Sequence, residues 1–280
     1  MENKRVAVVT GGGQGIGKAI ALRFATGNHD VAVLDRNFST AQETAELARA
    51  GGARAKALQC DVSVRSEVRS AFHEIDQDYG RIDVLVNNAG VFIRETIENS
   101  TDEVIDTTIG VNFKGVLDCT RAAIPMMKRR EGGCIINAAS ILGHFPDVGL
   151  GVYGMTKTGV ALLTRILAAE LAPYGIRCNA YQPAMTDTPM VHHIVEERPD
   201  EKLTQIPLRQ FGKPEQIADL CWFLASREAE YITGQVVPCD GGIWAVQRPM
   251  RAWQDAGVDL VPYAEMVAKQ NEQVEASGVR

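Results

Sequence analysis

The sequence predicts an α/β fold: a doubly wound parallel sheet in a single domain, followed by a C-terminal extension. Short apolar runs alternate with helical periodicities from the N-terminus almost to the end. These runs are continuous rather than alternating, as in strands buried on both faces of a parallel sheet. The first run leads straight into a glycine cluster, Gly11-Gly-Gly-Gln-Gly-Ile-Gly17. With 280 residues, 45% of them apolar, the chain can bury one sizeable core. No linker, repeat or low-complexity stretch precedes residue 243, so the domain is expected over 1–242 and the extension over 243–280.

Arg5–Val9 is the first strand, and a helix follows the glycine cluster to about Ala25. Val31–Leu34 is the second strand, and residues 39–50 form a helix stopped by Gly51-Gly52. Ala53–Cys60 supplies a third strand ending at Asp61. Val64, Val68, Phe72 and Ile75 then recur at near-helical spacing. Asp83–Val86 is a fourth strand ending at Asn87-Asn-Ala-Gly90. Two helical stretches span about 101–130, and Cys134–Asn137 is the fifth strand. A long helix is expected over 151–173 and a sixth strand over Ile176–Ala180. Residues 183–213 are polar and punctuated by prolines. Pro214–Ala225 is a helix with proline in its first turn, and Gln235–Pro238 is the last strand.

Composition narrows the function classes. A net charge of −6 with both signs interspersed argues against a nucleic-acid surface or a polybasic membrane patch. No apolar run approaches the ~18 residues of a membrane span, and the apolar stretch after Met1–Arg5 is too short for a signal peptide. The six cysteines (60, 119, 134, 178, 221, 239) include no C-x-x-C pair, which fits reduced core thiols in a cytoplasmic protein. His192-His193 has no third metal ligand nearby, so no metal site is expected.

The glycine cluster sits between a strand and a helix, where backbone amides at a helix N-terminus cradle phosphates. Its spacing is Thr10-Gly11-x-x-x-Gly15-x-Gly17 rather than G-x-G-x-x-G, and Gly11, Gln14, Gly15, Ile16 and Gly17 form the expected cradle. Asp35 ends the second strand, where a carboxylate accepts bonds from an adenosine ribose and repels a 2′-phosphate. The neighbouring Arg36 could tolerate that phosphate. With no basic residue between Gly11 and Gly17, NAD is the favoured cofactor. Asp61 and Val62 could flank an adenine, although Asp61 reads equally well as a helix cap. Farther along, Tyr153 and Lys157 share a helix face at i, i+4, and Ser140 lies thirteen residues before the tyrosine. An ammonium about 4 Å from a phenolate at an effective dielectric near 20 gains roughly 4 kcal/mol. That would draw a phenol titrating near ~10 towards neutrality, where it can exchange a proton during turnover.

In order and spacing these motifs resemble the short-chain dehydrogenase/reductase family: Thr10-Gly-x-x-x-Gly-x-Gly17, Asp61, Asn87-Asn-Ala-Gly90, Asn112, Ser140, Tyr153-x-x-x-Lys157 and Asp240-Gly241-Gly242. The likeness covers residues 5 to about 242 and implies a Rossmann fold. By resemblance, Tyr153 is the general acid/base, Ser140 polarises the substrate oxygen, and Lys157 lowers the phenol and binds the nicotinamide ribose. Asn112 would fix a water that relays the proton. Asn88, Ala89, Gly90, Pro183, Thr186 and Thr188 would join the cofactor site. The family also implies a homotetramer. One departure stands out: Gln182-Pro183-Ala184 occupies the place of the family's Pro-Gly, so Ala184 must follow another path if that glycine has φ > 0.

The substrate wall is expected from Ile93, Arg94, Ile141, Leu142, His144, Phe145 and segment 185–208, with Arg94 and His144 as candidate partners for a carboxylate or hydroxyls. The main expectation is NAD(H)-dependent interconversion of a small secondary alcohol (a polyol, sugar derivative or diol) and its ketone. The enzymatic alternative is reduction of a 3-oxoacyl thioester, and the non-enzymatic one a dinucleotide-binding regulator. In the tail, Trp244, Trp253, Tyr263, Met266 and Val267 argue for order, with a helix over 263–275 from Pro262 towards Gly278. The tail is expected to pack on an adjacent subunit and help close an active site.

Overall fold

In the computed structural model, which describes residues 4–246, 250–257 and 261–277, seven parallel strands form one sheet in the order β3-β2-β1-β4-β5-β6-β7. The strands are β1 (Arg5–Thr10), β2 (His29–Asp35), β3 (Ala55–Gln59), β4 (Val84–Asn87), β5 (Gly133–Ala138), β6 (Ile176–Pro183) and β7 (Val236–Cys239). The strand order reverses between β1 and β4, and this switch point opens a crevice at the carboxyl ends of the strands.

Helices cover both faces. On one side lie α1 (Gly15–Thr26), α2 (Phe38–Ala50) and α9 (Pro214–Ala225), whose Ile20, Phe24, Ala41, Ala45, Ile217 and Leu224 pack on Ala7, Val9, Val31 and Val33. On the other lie α3 (Arg65–Tyr79), α5 (Gly115–Arg129) and α6 (Gly151–Leu171), whose Val68, Phe72, Ile75, Met127, Leu167 and Leu171 pack on Val8, Ala32, Leu34 and Leu85. Alternate residues of each strand thus feed opposite cores, which is why the strands read as unbroken apolar runs. Side-chain caps set two starts: Asn37 Oδ1 accepts from Ser39 and Thr40 amides, and Thr101 Oγ1 accepts from the Val104 amide. Val64, assigned by the periodicity to the apolar face of α3, instead precedes the helix and is exposed.

The stretch predicted as two helices over 101–130 is a continuous rod: α4 (Asp102–Ile109), a π-helical turn (Gly110–Lys114), and α5 with Pro125 inside it. Residues 183–213 contain two short helices, α7 (His192–Glu197) and α8 (Pro199–Leu203). The tail adds α10 (Arg251–Asp255) and α11 (Tyr263–Ser277); Gly278 lies outside the described residues. Within its own chain the tail makes these contacts. Tyr263 and Met266 pack on a small core of Val195, Leu203, Ile206 and Phe211. The Trp253 indole donates to Pro207 O at 2.9 Å, and the Tyr263 amide to Asp200 Oδ1 at 2.8 Å.

Candidate active site

A cavity of about 700 Å³ runs along the carboxyl ends of the strands at the switch point. Gly11, Gln14, Gly15, Ile16 and Gly17 line one stretch, Asp35, Arg36, Asp61 and Val62 the next, and Asn88, Ala89, Gly90, Tyr153, Lys157, Pro183 and Thr188 the rest. Sequence reasoning did not anticipate Thr107, Val111, Phe92 and Tyr181, which also line it, whereas Pro189 and Met190 belong to the expected segment 185–208.

The glycine loop is held by side chains beneath it. Gly11 and Gly15 have φ of 61° and 52°, a region that side chains other than glycine's rarely adopt. A Cβ on Gly17 would fall 2.0 Å from Gly11 O, so Gly17 serves the contact between helix and loop. Asn88 fastens this contact: its Nδ2 donates to Thr10 O and Gly11 O, each at 3.0 Å, and its Oδ1 accepts from the Tyr181 hydroxyl at 2.8 Å. Thr10 Oγ1 in turn accepts from the Asn88 and Ala89 amides. Thr10 and Tyr181 are therefore site-building residues; Thr10 opens the glycine motif, while no sequence pattern singled out Tyr181.

Asp35 Oδ2 accepts from the Gly13 amide and Oδ1 from the Asn37 amide, both at 3.0 Å, which fixes the carboxylate at the cavity wall. Asp61 Oδ1 accepts from the Ser63 amide and hydroxyl, a turn-capping arrangement, while the residue still faces the cavity. Val62 is buried behind it.

At the other end, Lys157 and Ser140 are buried and Tyr153 is half-buried. Burial pushes the Tyr153 phenol up, and hydrogen bonding from Ser140 partly offsets this. Burial pushes the Lys157 ammonium down to about 8. The sequence predicts that the ammonium draws the phenol towards neutrality. In the structure Lys157 Nζ sits 5.7 Å from the phenol ring centre and donates to Ala138 O at 2.8 Å. Desolvation therefore dominates and pushes each group towards its neutral form. The Phe92 ring meets Tyr153 edge-on, with ring centres 5.0 Å apart.

Asn112 lies in the π turn, fully buried behind the cavity wall. Its Oδ1 accepts from the Val91 amide at 2.8 Å and its Nδ2 donates to Val91 O at 2.9 Å. The side chain thus anchors the backbone beside Gly90, where a Cβ would stand 3.3 Å from Oδ1 and 3.7 Å from Lys157 Nζ.

Several expected contacts fall elsewhere. Thr186 is turned inwards, buried and bridged to Gly212, and only Thr188 faces the cavity. Arg94 is engaged by Asp147 Oδ2 at 2.6 Å and Val148 O at 2.8 Å, so its guanidinium closes a loop instead of waiting for a ligand. His144 and Phe145 pack edge-on against Trp244 at 4.7 and 4.8 Å. Ala184 is absent from the residues with positive φ, so the alanine needs no strained path. The His192 imidazole bridges Asp187 Oδ1 at 2.9 Å and Glu196 Oε1 at 3.2 Å, and the Asp187 hydrogen bond, with Glu196, raises it.

Comparison with known proteins agrees with this geometry. Residues 11–244 match the family model described as enoyl-(acyl carrier protein) reductase. The chain is 39% identical over 252 residues to a 3-oxoacyl-(acyl-carrier-protein) reductase of Staphylococcus aureus, covering 87% of this chain and all of that protein. A 3-ketoacyl-(acyl-carrier-protein) reductase of Brucella melitensis complexed with NADH superposes with a TM-score of 0.79 at 34% identity, over 85% of this chain and 98% of that one. A glucose/ribitol dehydrogenase-type short-chain dehydrogenase/reductase from the same organism gives 0.81 at 30% identity, over 88% and 98%. The sheet order, the glycine cradle and the Tyr153–Lys157 pair therefore sit in a chain that belongs to the short-chain dehydrogenase/reductase family of oxidoreductases.

Proposed function

We propose that this protein is an NAD(H)-dependent oxidoreductase interconverting a small secondary alcohol and its ketone. The observation that carries the proposal is one continuous cavity with a fixed carboxylate, Asp35, at one end and Tyr153 and Lys157 at the other, with Ser140 hydrogen-bonded to the phenol. The residues present fit a dinucleotide. The positive-φ glycines leave backbone at the cavity wall where side chains would intrude, and Asp35 is pre-oriented by two amides. When bound, the nicotinamide supplies the hydride acceptor or donor.

The chain's own residues handle the proton. Tyr153 Oη takes the hydroxyl proton of an alcohol, or returns one to a ketone oxygen, and Ser140 Oγ donates to the oxygen on which charge develops. Lys157 holds positive charge near the phenol and, with Asn112 and Gly90, shapes the wall beside the reacting carbon. Phe92 packs edge-on against the phenol ring and helps to fix it. Because Arg94 is engaged by Asp147 and Val148, the substrate side offers aromatic surface more than charge, which favours a neutral substrate.

Asp35 supports NAD(H) over its phosphorylated form. A 2′-phosphate beside this carboxylate costs on the order of 2 kcal/mol, a preference of roughly 30-fold. Comparing kcat/KM for NADH and NADPH tests this: a preference for NADH that inverts or vanishes in Asp35→Ser is expected. Equal use of NADPH by the wild type would refute it.

A second reading, reduction of a 3-oxoacyl thioester, is favoured by the 39% identity to the Staphylococcus aureus reductase. Initial rates on a panel of neutral alcohols and ketones against a 3-oxoacyl thioester discriminate the two. Higher kcat/KM on the thioester would select the second, and no turnover on either despite dinucleotide binding would select a regulatory role.

A further inference from the structure

At the opposite end of the sheet from the active site, a second cavity of about 490 Å³ lies among the amino ends of the strands. Arg5 opens β1, Arg81 and Asp83 precede β4, Gly133 opens β5, and Arg177 lies at the start of β6. Arg130 and Arg227 complete the rim from the turns after α5 and α9. Five guanidinium groups and two carboxylates, Asp83 and Glu230, thus share one concavity in a chain whose net charge is −6.

Not all of these arginines are explained by the fold. Arg81 forms a two-pronged pair with Asp83, Nη2 to Oδ1 at 2.5 Å and Nε to Oδ2 at 2.7 Å. Asp83 Oδ2 also accepts from the Val6 amide, so this carboxylate is already engaged. Arg177 donates to Ile232 O at 3.1 Å and Ser226 O at 3.3 Å. Arg227 reaches Glu230 only at 4.0 Å, with both side chains largely in solvent. The side chains of Arg5 and Arg130 make no hydrogen bond or ion pair with the described residues, and both are exposed at the rim. Cations near helix C-termini can relieve the terminal carbonyls, yet neither side chain bonds a described carbonyl. Like charges gathered around a concavity repel one another, and an anion between them turns that repulsion into attraction.

We infer that this cavity is a second binding site, separate from the active site, for a small phosphate-bearing anion. Guanidinium forks match phosphate oxygens in pairs. The volume lies in the range of about 300–1,000 Å³ typical of small-molecule sites. The charge is gathered in a pocket instead of spread along a stripe, which favours a compact anion over a nucleic-acid strand. The walls are firm: Gly175 has φ of 67°, and a Cβ there would lie 2.9 Å from Glu131 O, so the turns after α5 and α6 are pressed together beside Arg130. The two sites are separated by the length of β1, six residues or roughly 20 Å.

Pyrophosphate is the probe, titrated calorimetrically at low salt into the full-length protein with and without saturating NADH. Expected is a binding phase that survives NADH and weakens at least tenfold in Arg5→Gln/Arg130→Gln. The same loss of charge on the outer face of α3, Arg65→Gln/Arg69→Gln, should leave that phase within about twofold. All four side chains are exposed, so the variants should fold. Absence of binding, binding abolished by NADH, binding unchanged in Arg5→Gln/Arg130→Gln, or equal weakening in the α3 variant would each overturn the assignment.

Discussion

Tyr153 carries the sharpest prediction at the residue scale. Replacing it by phenylalanine removes the transferable proton but keeps the ring that packs against Phe92. Tyr153→Phe is therefore expected to lower kcat by roughly 10²–10⁴-fold while dinucleotide affinity stays within about twofold. Single-turnover kinetics with a fluorescence titration of NADH checks both, and wild-type kcat would remove the phenol from the reaction. Lys157 makes a thermodynamic prediction. Burial lowers it from 10.5 to about 8, so below pH 8 the folded state carries a buried ammonium that the unfolded state keeps in water. Between pH 8 and 10.5 the unfolded state binds more protons, so stability rises with pH. Relative to Lys157→Met, the wild type should gain up to roughly 3 kcal/mol over that window, read from denaturant titrations at several pH values. No pH-dependent difference would mean that the ammonium is solvated.

At the scale of elements, segment 185–211 and the tail pack as one unit. Segment 185–211 borders the cavity through Thr188, Pro189 and Met190, and its underside is filled by the tail. Arg209, with φ of 54°, donates from its guanidinium to Val261 O at 3.1 Å, and Phe211 meets Tyr263 edge-on at 5.4 Å. Removing α10 and α11 would uncover Val195, Leu203, Ile206 and Phe211, each worth about 1.5–3 kcal/mol of burial when fully covered. Truncation after Ile243 is expected to raise the substrate KM at least tenfold and leave dinucleotide affinity unchanged, because the glycine cradle lies on β1 and α1. Steady-state kinetics and NADH titration of the truncated protein separate these effects; an unaltered KM would show that the tail does not shape the pocket. The π turn could not be foreseen from periodicity, because Gly110–Lys114 continues the helix and shifts its hydrogen bonds by one residue.

For the whole molecule, the outer surface of α6 predicts self-association. Met155, Leu162 and Ile166 form a stripe along it, exposed by 57%, 56% and 45%, and Phe223 on α9 is exposed by 42%. The inner faces of both helices already cover the sheet, so these residues add nothing to the monomer's core. The expected assembly is a homotetramer, and Leu162→Lys should dissociate it by placing a charge in an apolar contact. Light scattering at micromolar concentration checks both: a monomeric wild type would refute the assembly, and an unchanged mass for Leu162→Lys would take α6 out of the contact. No helix among the described residues is long and apolar enough to cross a membrane.

The strand positions and most helix positions were legible in the sequence, and nearly all of the residues expected to hold a cofactor line the cavity. Apolar periodicity records which faces are buried, and positions such as Gly11 and Gly15 tolerate no other residue without strain. Tertiary structure decided what depends on partners distant in sequence. Arg94 and Thr186 looked available, but Asp147, fifty-three residues on, and Gly212 take them out of the site. The Tyr153–Lys157 spacing was plain, while the balance of their ionisation followed from desolvation by the surrounding fold, which no local pattern encodes. The arginines at the foot of the sheet are scattered from position 5 to position 227, and only the packing of parallel strands gathers them around one cavity. Local pattern specifies which elements form; the environment of a charge is set by what the fold brings beside it.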